Sequence, residues 1–284
     1  MTHSLDLRCG GRTVARYLQR PDLPARFSPR PYLHPVTTLG GTPVTEELPD
    51  DHPHHLGAGI AVPDVAGLNF WGGRTFVRGR GPTALDNHGE QRHDGFKLCD
   101  PDGFVEDLTW TSGGTEVLRE RRTVAATALT AGAWALDVAF CLTNPGRRDL
   151  TIGSPATNGR PGAGYGGFFW RAPKEPAAPD VFTADAEGED AVHGRTADWL
   201  ALRGGGSSPD AGWTLVFAGA TGATRADPWF VRTSDYPGVG SALAWDARLP
   251  LPAGGTVVRR VATVVADGRL DRAAAAALVR KALS

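Results

Sequence analysis

Apolar and polar positions alternate along this chain with a period of two, in short runs punctuated by glycine, proline and asparagine. Trp134, Leu136, Val138 and Phe140 fall on one face of an extended run from Trp134 to Leu142, which Asn144-Pro145-Gly146 ends. Leu5 to Arg8 and Thr13 to Leu18 flank Cys9-Gly10-Gly11, the pattern of a hairpin. Phe104 to Thr111 and Glu116 to Ala126 flank Ser112-Gly113-Gly114 in the same way. Further extended runs are predicted at Gly212 to Ala218, Pro228 to Thr233, Ala242 to Leu249 and Thr256 to Ala266. One segment breaks the period: Arg272 to Leu283 is rich in alanine and leucine, and Asp271 stands where a helix cap belongs. Many strands with one terminal helix disfavour a doubly wound sheet. The expected fold class is all-β, a large antiparallel β-sandwich forming one domain over residues 1–284, with the C-terminal helix closing an edge.

Composition agrees with this picture. The 284 residues are 41% hydrophobic, enough for one large core, and sandwiches of this length form single domains. The 37 glycines and 22 prolines are dispersed between the apolar runs, which argues for many turns. Longer loops are expected at Pro21 to Pro31, Ala172 to Pro179 and Gly204 to Pro209. With 30 basic and 31 acidic side chains the net charge is −1, so no broad basic surface exists for nucleic acid. No apolar run approaches the roughly 20 residues needed to span a bilayer, and no signal-peptide order opens the chain, so a cytoplasmic location is expected. Cys9, Cys99 and Cys141 are odd in number, widely spaced and without a CxxC pair, and read as unpaired thiols. Nucleotide-binding glycine motifs are absent.

The densest chemistry lies in Pro49-Asp50-Asp51-His52-Pro53-His54-His55-Leu56-Gly57. Imidazole donates, accepts or ligates near neutral pH, and a neighbouring carboxylate fixes its tautomer. Pro53 is expected to hold this backbone extended, with His52 and His54 on one side and His55 on the other. Gly57 and Gly59 admit close approach of a ligand or a strand. Arg30-Pro31-Tyr32-Leu33-His34 offers an anion or hydroxyl donor in Arg30, a stacking ring in Tyr32 and a fourth imidazole in His34. In Asn87 to Phe96, His93 with Asp94, or His88 with Glu90, would form an acid/base pair. Gly162 to Arg171 combines glycines with Tyr165 and Trp170, and Trp71, Trp170, Trp199 and Trp229 are candidate stacking faces for a sugar ring. Asp198 and Asp235 are candidate carboxylates from the opposite wall. His3 and His193 read as isolated. Each segment also has a plainer reading, as a solvated loop or ordinary core.

The runs Arg30-Pro-Tyr-Leu-His-Pro, Asp51-His-Pro-His-His-Leu-Gly, Gly67-Leu-Asn-Phe-Trp-Gly and Gly166-Gly-Phe-Phe-Trp-Arg resemble the bacterial PmoA-like family, described as "methane oxygenase PmoA". That resemblance implies a galactose-mutarotase-like supersandwich, in which a histidine and a carboxylate act on a sugar. It would place the histidine role on His54 or His55. The carboxylate of that pattern has no clear counterpart here, Asp235 being the nearest.

The expected function is therefore a carbohydrate-active enzyme, an isomerase or lyase that epimerises a sugar or eliminates from an oxidised one. His54, His55 and His93 with Asp51 or Asp94 would do the acid/base work. Arg30, Tyr32, His34, His52, Trp170, Asp198 and Asp235 would hold a small-molecule carbohydrate. No cofactor is required, although His52 and His54 with His93 or His34 would suit a divalent metal. Two alternatives are a non-catalytic sugar-binding protein and a metal-dependent lyase or oxygenase. A homo-oligomer is compatible with everything read so far. The catalytic readings need imidazoles from the fifties and the nineties to share one concave site, whereas the sugar-binding alternative needs the aromatic and glycine surfaces but not the histidines.

Overall fold

The computed structural model describes residues 4–205 and 212–284. His3 and most of the Gly204–Pro209 segment lie outside those residues. Two large sheets face each other, and every paired strand in them runs antiparallel to its neighbour. In the ten-stranded sheet the main path runs through Ser4–Cys9, Arg12–Leu18, Tyr32–Val36, Ala58–Val65, Gly167–Arg171, Gly238–Ala242 and Trp229–Arg232. In the eight-stranded sheet the order is Asp180–Phe182, Trp199–Gly204, Trp213–Gly219, Thr256–Asp267, Ala133–Thr143, Thr115–Thr130, Gly103–Ser112 and Glu90–Asp100. The expected antiparallel sandwich with a C-terminal helix is what the chain forms.

Both expected hairpins are present. Gly10 and Gly11 take φ of 56° and 82°, Gly113 and Gly114 of 54° and 77°, the left-handed pairs that match the strand twist. Alternation sets the core. Trp134, Leu136, Val138 and Phe140 point inward from one strand, and Leu215 and Phe217 from its neighbour but one. Trp170 and Phe168 meet them from the opposite sheet, and Trp170 packs on Phe217 at 5.6 Å.

Two expectations are corrected here. Ala242 to Leu249 is no strand: the strand ends at Ala242, and the chain bends through Leu243 to Asp246 so that Trp245 can cover Gly164 and Gly194. The helix Arg272–Leu283, capped by Asp271 Oδ1 accepting from the Ala274 N–H at 2.8 Å, does not close an edge. It lies on the outer face of the eight-stranded sheet, with Ala275, Leu278 and Val279 against Trp199, Val216, Ala218 and Val264.

Alternation also creates the surface that matters for function. On the strand Gly167–Arg171, Phe168 and Trp170 enter the core while Phe169 turns to the other face. On Trp229–Arg232, Trp229 and Val231 go in while Phe230 turns out. Phe169, Phe230, Ala61 and Trp71 form a second apolar cluster on the outer face of the ten-stranded sheet, with Tyr165, Tyr236 and Trp245 packed on it.

Candidate functional site

The histidine segment folds over this outer cluster, and it is not extended. His52 N–H donates to the Pro49 carbonyl at 3.0 Å and His55 N–H to the His52 carbonyl at 2.8 Å, two successive turns that gather all three rings. Pro53 sits inside the second turn, where its fixed φ is compatible with the bend. His52 stacks on His55 with centroids 4.6 Å apart at 21°, and His54 meets His55 edge-on at 4.9 Å. Gly57 then rejoins the sheet. A Cβ there would lie 2.2 Å from the Leu33 carbonyl oxygen, and φ is +48°, so the close strand approach expected of this glycine is real.

These rings line a cavity of about 190 Å³. Trp71, Tyr165, Phe230 and Tyr236 supply aromatic walls. Trp71 and Tyr165 lie 4.6 Å apart, Tyr165 and Phe230 5.3 Å, His52 and Tyr236 4.6 Å. Arg160, Arg232 and Asp235 complete the lining, with Arg160 and Asp235 exposed to solvent.

Burial sets the charge of the imidazoles. It lowers His54 to about 3, with help from Arg30 and His52 nearby. His55 is lowered well below the usual histidine range, by burial first and then by His54 and His52. Both rings are therefore neutral at pH 7 and hold protons weakly. His52 is different in its surroundings: Asp51 Oδ2 lies 3.4 Å from its Nδ1, and that buried nitrogen has no hydrogen-bond partner among the described residues. Burial works against the charge on Asp51, but Arg171 and His52 outweigh it and hold the carboxyl below the usual range.

The remaining sequence candidates go elsewhere. Arg30 is buried and donates to four carbonyls, those of Phe27, Ser28, Trp71 and His54 at 2.9–3.1 Å, so it fixes the loops around the cavity and does not line it. Tyr32 donates its hydroxyl to Glu47, and His34 bonds Thr45 Oγ1 at 3.0 Å with Glu47 3.6 Å away. Trp170 is a core residue whose indole N–H donates to the Val44 carbonyl at 2.8 Å. Asp198 lines separate grooves beside Trp199 and Arg225. His88 bonds the Gly73 carbonyl at 2.7 Å, while Glu90 accepts from Thr111, so those two are not an acid/base pair.

His93 requires the largest correction. Residues 90–100 form a strand, not a polar loop, and Gln91 and His93 point into the interior between the sheets. His93 Nδ1 lies 2.6 Å from Glu106 Oε2. Glu106 also accepts from the Tyr17 hydroxyl, Arg122 bridges Tyr17, Gln91 and Glu120, and Glu120 accepts from the Trp110 indole at 2.8 Å. Asp94, on the opposite face of the strand, is exposed and bonds Arg92 and Thr109. The fifties cover the outer face of the ten-stranded sheet, whereas His93, on the eight-stranded sheet, points into the interior between the sheets, so among the described residues the two groups do not meet. The metal set of His52 and His54 with His93 or His34 is not assembled, since His93 bonds Glu106 and His34 bonds Thr45; among the described residues no group of three or more His, Cys, Asp or Glu is arranged to hold an ion.

Sequence reasoning missed Arg160, Phe230 and Arg232 at the cavity, and the interior network of Tyr17, Glu106, Glu120 and Arg122. The strand Trp229–Arg232 carried a usable signal, because alternation that buries Trp229 and Val231 turns Phe230 and Arg232 outward together.

A model of one protein family matches residues 4–280, nearly the whole described chain. The chain belongs to DUF6807, a family of unknown function. This overturns the resemblance to the PmoA-like family: the residue runs that suggested it lie within the segment that DUF6807 accounts for. No curated protein matches the chain. Among solved structures, the chain is similar to a variant of the GH36 alpha-galactosidase AgaA from Geobacillus stearothermophilus in complex with 1-deoxygalactonojirimycin, at 11% identity and a TM-score of 0.47, covering 94% of this chain and 41% of that one. An alpha-galactosidase from Lactobacillus brevis gives 11% identity and 0.47, covering 94% and 40%. The chain spans about two fifths of those enzymes. No helix among the described residues is long and apolar enough to cross a membrane.

Proposed function

We propose that this protein recognises a single small carbohydrate in the cavity on the outer face of the ten-stranded sheet. One observation carries the reading: four aromatic faces, two neutral imidazoles, guanidinium groups and a carboxylate converge on about 190 Å³. Aromatic faces suit the apolar C–H surface of a sugar ring. Neutral histidines both donate and accept, and Asp235 accepts, which suits hydroxyl groups that do both. The volume lies below the roughly 300–1,000 Å³ of sites for drug-sized ligands, so one ring fits and a long chain does not.

A second reading adds proton transfer, and a specific pair favours it. His52 and Asp51 sit together at the cavity, and the buried His52 Nδ1 has no partner. His54 and His55 are poor candidates for that step, because rings so strongly held neutral make weak bases.

The test is calorimetric titration of a panel of monosaccharides and their oxidised derivatives. We expect saturable binding by the wild-type chain, weakened at least tenfold in Tyr236→Ala with the fold retained by circular dichroism. If no member of the panel binds, the reading fails. His52→Gln separates the two readings: lost turnover of a bound sugar with retained binding supports proton transfer.

A further inference from the structure

Resting on the reading of this cavity as a sugar site, we infer that its ligand is an acidic sugar, whose carboxylate or phosphate is held by Arg160 and Arg232. The charges around the cavity decide this. His54 and His55 contribute none at neutral pH. Arg171 is fully buried and already committed, to Glu46 at 2.8 Å and Asp51 at 3.5 Å, with its guanidinium over the Tyr236 ring. Asp51 is shared between Arg171, Lys174 and His52.

That leaves Arg160 and Arg232 matched by Asp235 and Glu189, and one unmatched charge: the buried Arg30, which donates only to carbonyls, His54's among them, and has no acidic partner within 4.0 Å among the described residues. Arg160 has no acidic partner within 4.0 Å among the described residues, and its backbone is fixed: its N–H donates to the Pro155 carbonyl and its carbonyl accepts from Ala163. Arg232 lies over the Phe230 ring at 4.8 Å, with one nitrogen donating to the Val231 carbonyl at 2.8 Å. Its acidic neighbour, Glu189, is 3.4 Å away, and the other oxygen of that carboxylate already accepts from Thr233 N–H, Thr233 Oγ1 and Ser234 N–H. The His193 ring is 3.1 Å from Arg232, with Nδ1 accepting from Val231 N–H and Nε2 facing the Gly162 carbonyl at 2.8 Å, which braces the arginine from behind.

A monoanion therefore completes the local charge, and guanidinium is the side chain best matched to a carboxylate or phosphate. Asp235 remains to accept from hydroxyls. A bare anion would leave four aromatic walls unused, which is why the anionic group belongs to a sugar.

The experiment titrates glucose, galactose, their uronic acids, their 6-phosphates and inorganic phosphate into the wild-type chain, Arg160→Gln and Arg232→Gln. We expect an acidic sugar to bind at least tenfold more tightly than its neutral parent. In Arg160→Gln, with the fold verified by circular dichroism, the ratio should fall below about threefold. A uronate preference assigns the anion as a carboxylate, a sugar-phosphate preference as a phosphate ester. A neutral parent binding as tightly as its acid overturns this inference and leaves the sugar site standing. Inorganic phosphate binding as tightly as the sugar phosphate overturns the sugar part. No binding by any sugar overturns both.

Discussion

Forcing a proton onto His54 in the folded chain is costly, and the cost is measurable as a pH dependence of stability. Burial, with Arg30 and His52, lowers the ring to about 3. In the unfolded chain a histidine titrates near 6.5. Below that pH the unfolded chain takes up a proton that the folded chain refuses. The stability linked to the neutral ring is thus complete above pH 6.5 and declines as the pH falls towards 3. One such group removes about 1.4 kcal/mol per pH unit inside the window, so about 2.7 kcal/mol is lost by pH 4.5. Urea unfolding of wild type and His54→Gln, at pH 7.5, 6.5, 5.5 and 4.5, isolates this contribution. Asp51 and Glu189, both held below the usual carboxylate range, stay ionised over these values in either chain. His55, His34 and His193 are also lowered and remain in both chains. The wild type should therefore lose about 2.7 kcal/mol more than the variant between pH 7.5 and 4.5. Parallel stability profiles for the two chains would refute the argument, because they would mean that the folded state accommodates the charged ring.

Two further outcomes test how the site and the interior are held. Gly57→Ala places a Cβ 2.2 Å from the Leu33 carbonyl at φ +48°, so it should cost at least about 2 kcal/mol in thermal unfolding and weaken ligand binding, since the residue anchors the histidine turns. Glu106→Gln removes one carboxylate from beside His93, Tyr17 and Arg122 in the interior and should cost about 3–5 kcal/mol in urea unfolding. Glu116→Gln, in an exposed pair with Arg119, should leave the same measurement unchanged.

The sheets were legible where side chains obey the period of two. The two glycine-pair hairpins and the Trp134 strand needed nothing beyond local pattern, and Asp271 marked the helix start to the residue. The interior network was hidden for the same physical reason. On the strand Thr115–Thr130, Leu118, Glu120, Arg122 and Val124 all face inward, so two charged positions share the register of two apolar ones. Their burial is tolerable because the two charges pair with each other at 2.7 Å, and because Trp110 and Gln91 from other strands of the same sheet and Tyr17 from the opposite sheet complete the network. His93 was misplaced by the same effect: it belongs to a strand whose inward positions are polar, which reads as a loop until its neighbours are known.

The segment Asp51 to His55 shows a different limit, one of electrostatics. Three imidazoles close in sequence promise acid/base chemistry because each, alone in water, titrates near neutral pH. Folding them together changes that property. Each ring buries its neighbour, and each protonated ring would raise the energy of the next: His52 lowers His54, and His54 and His52 both lower His55. A packed cluster of this kind suppresses its own charge. Its inner members become hydrogen-bonding surface, while His52 lies at the edge of the cluster with Asp51 Oδ2 3.4 Å from its Nδ1. Counting histidines therefore overstates the catalytic capacity of the segment. What it supplies in quantity is a neutral, polar floor for a ligand, and the charge of the site has to come from the arginines and aspartates around it.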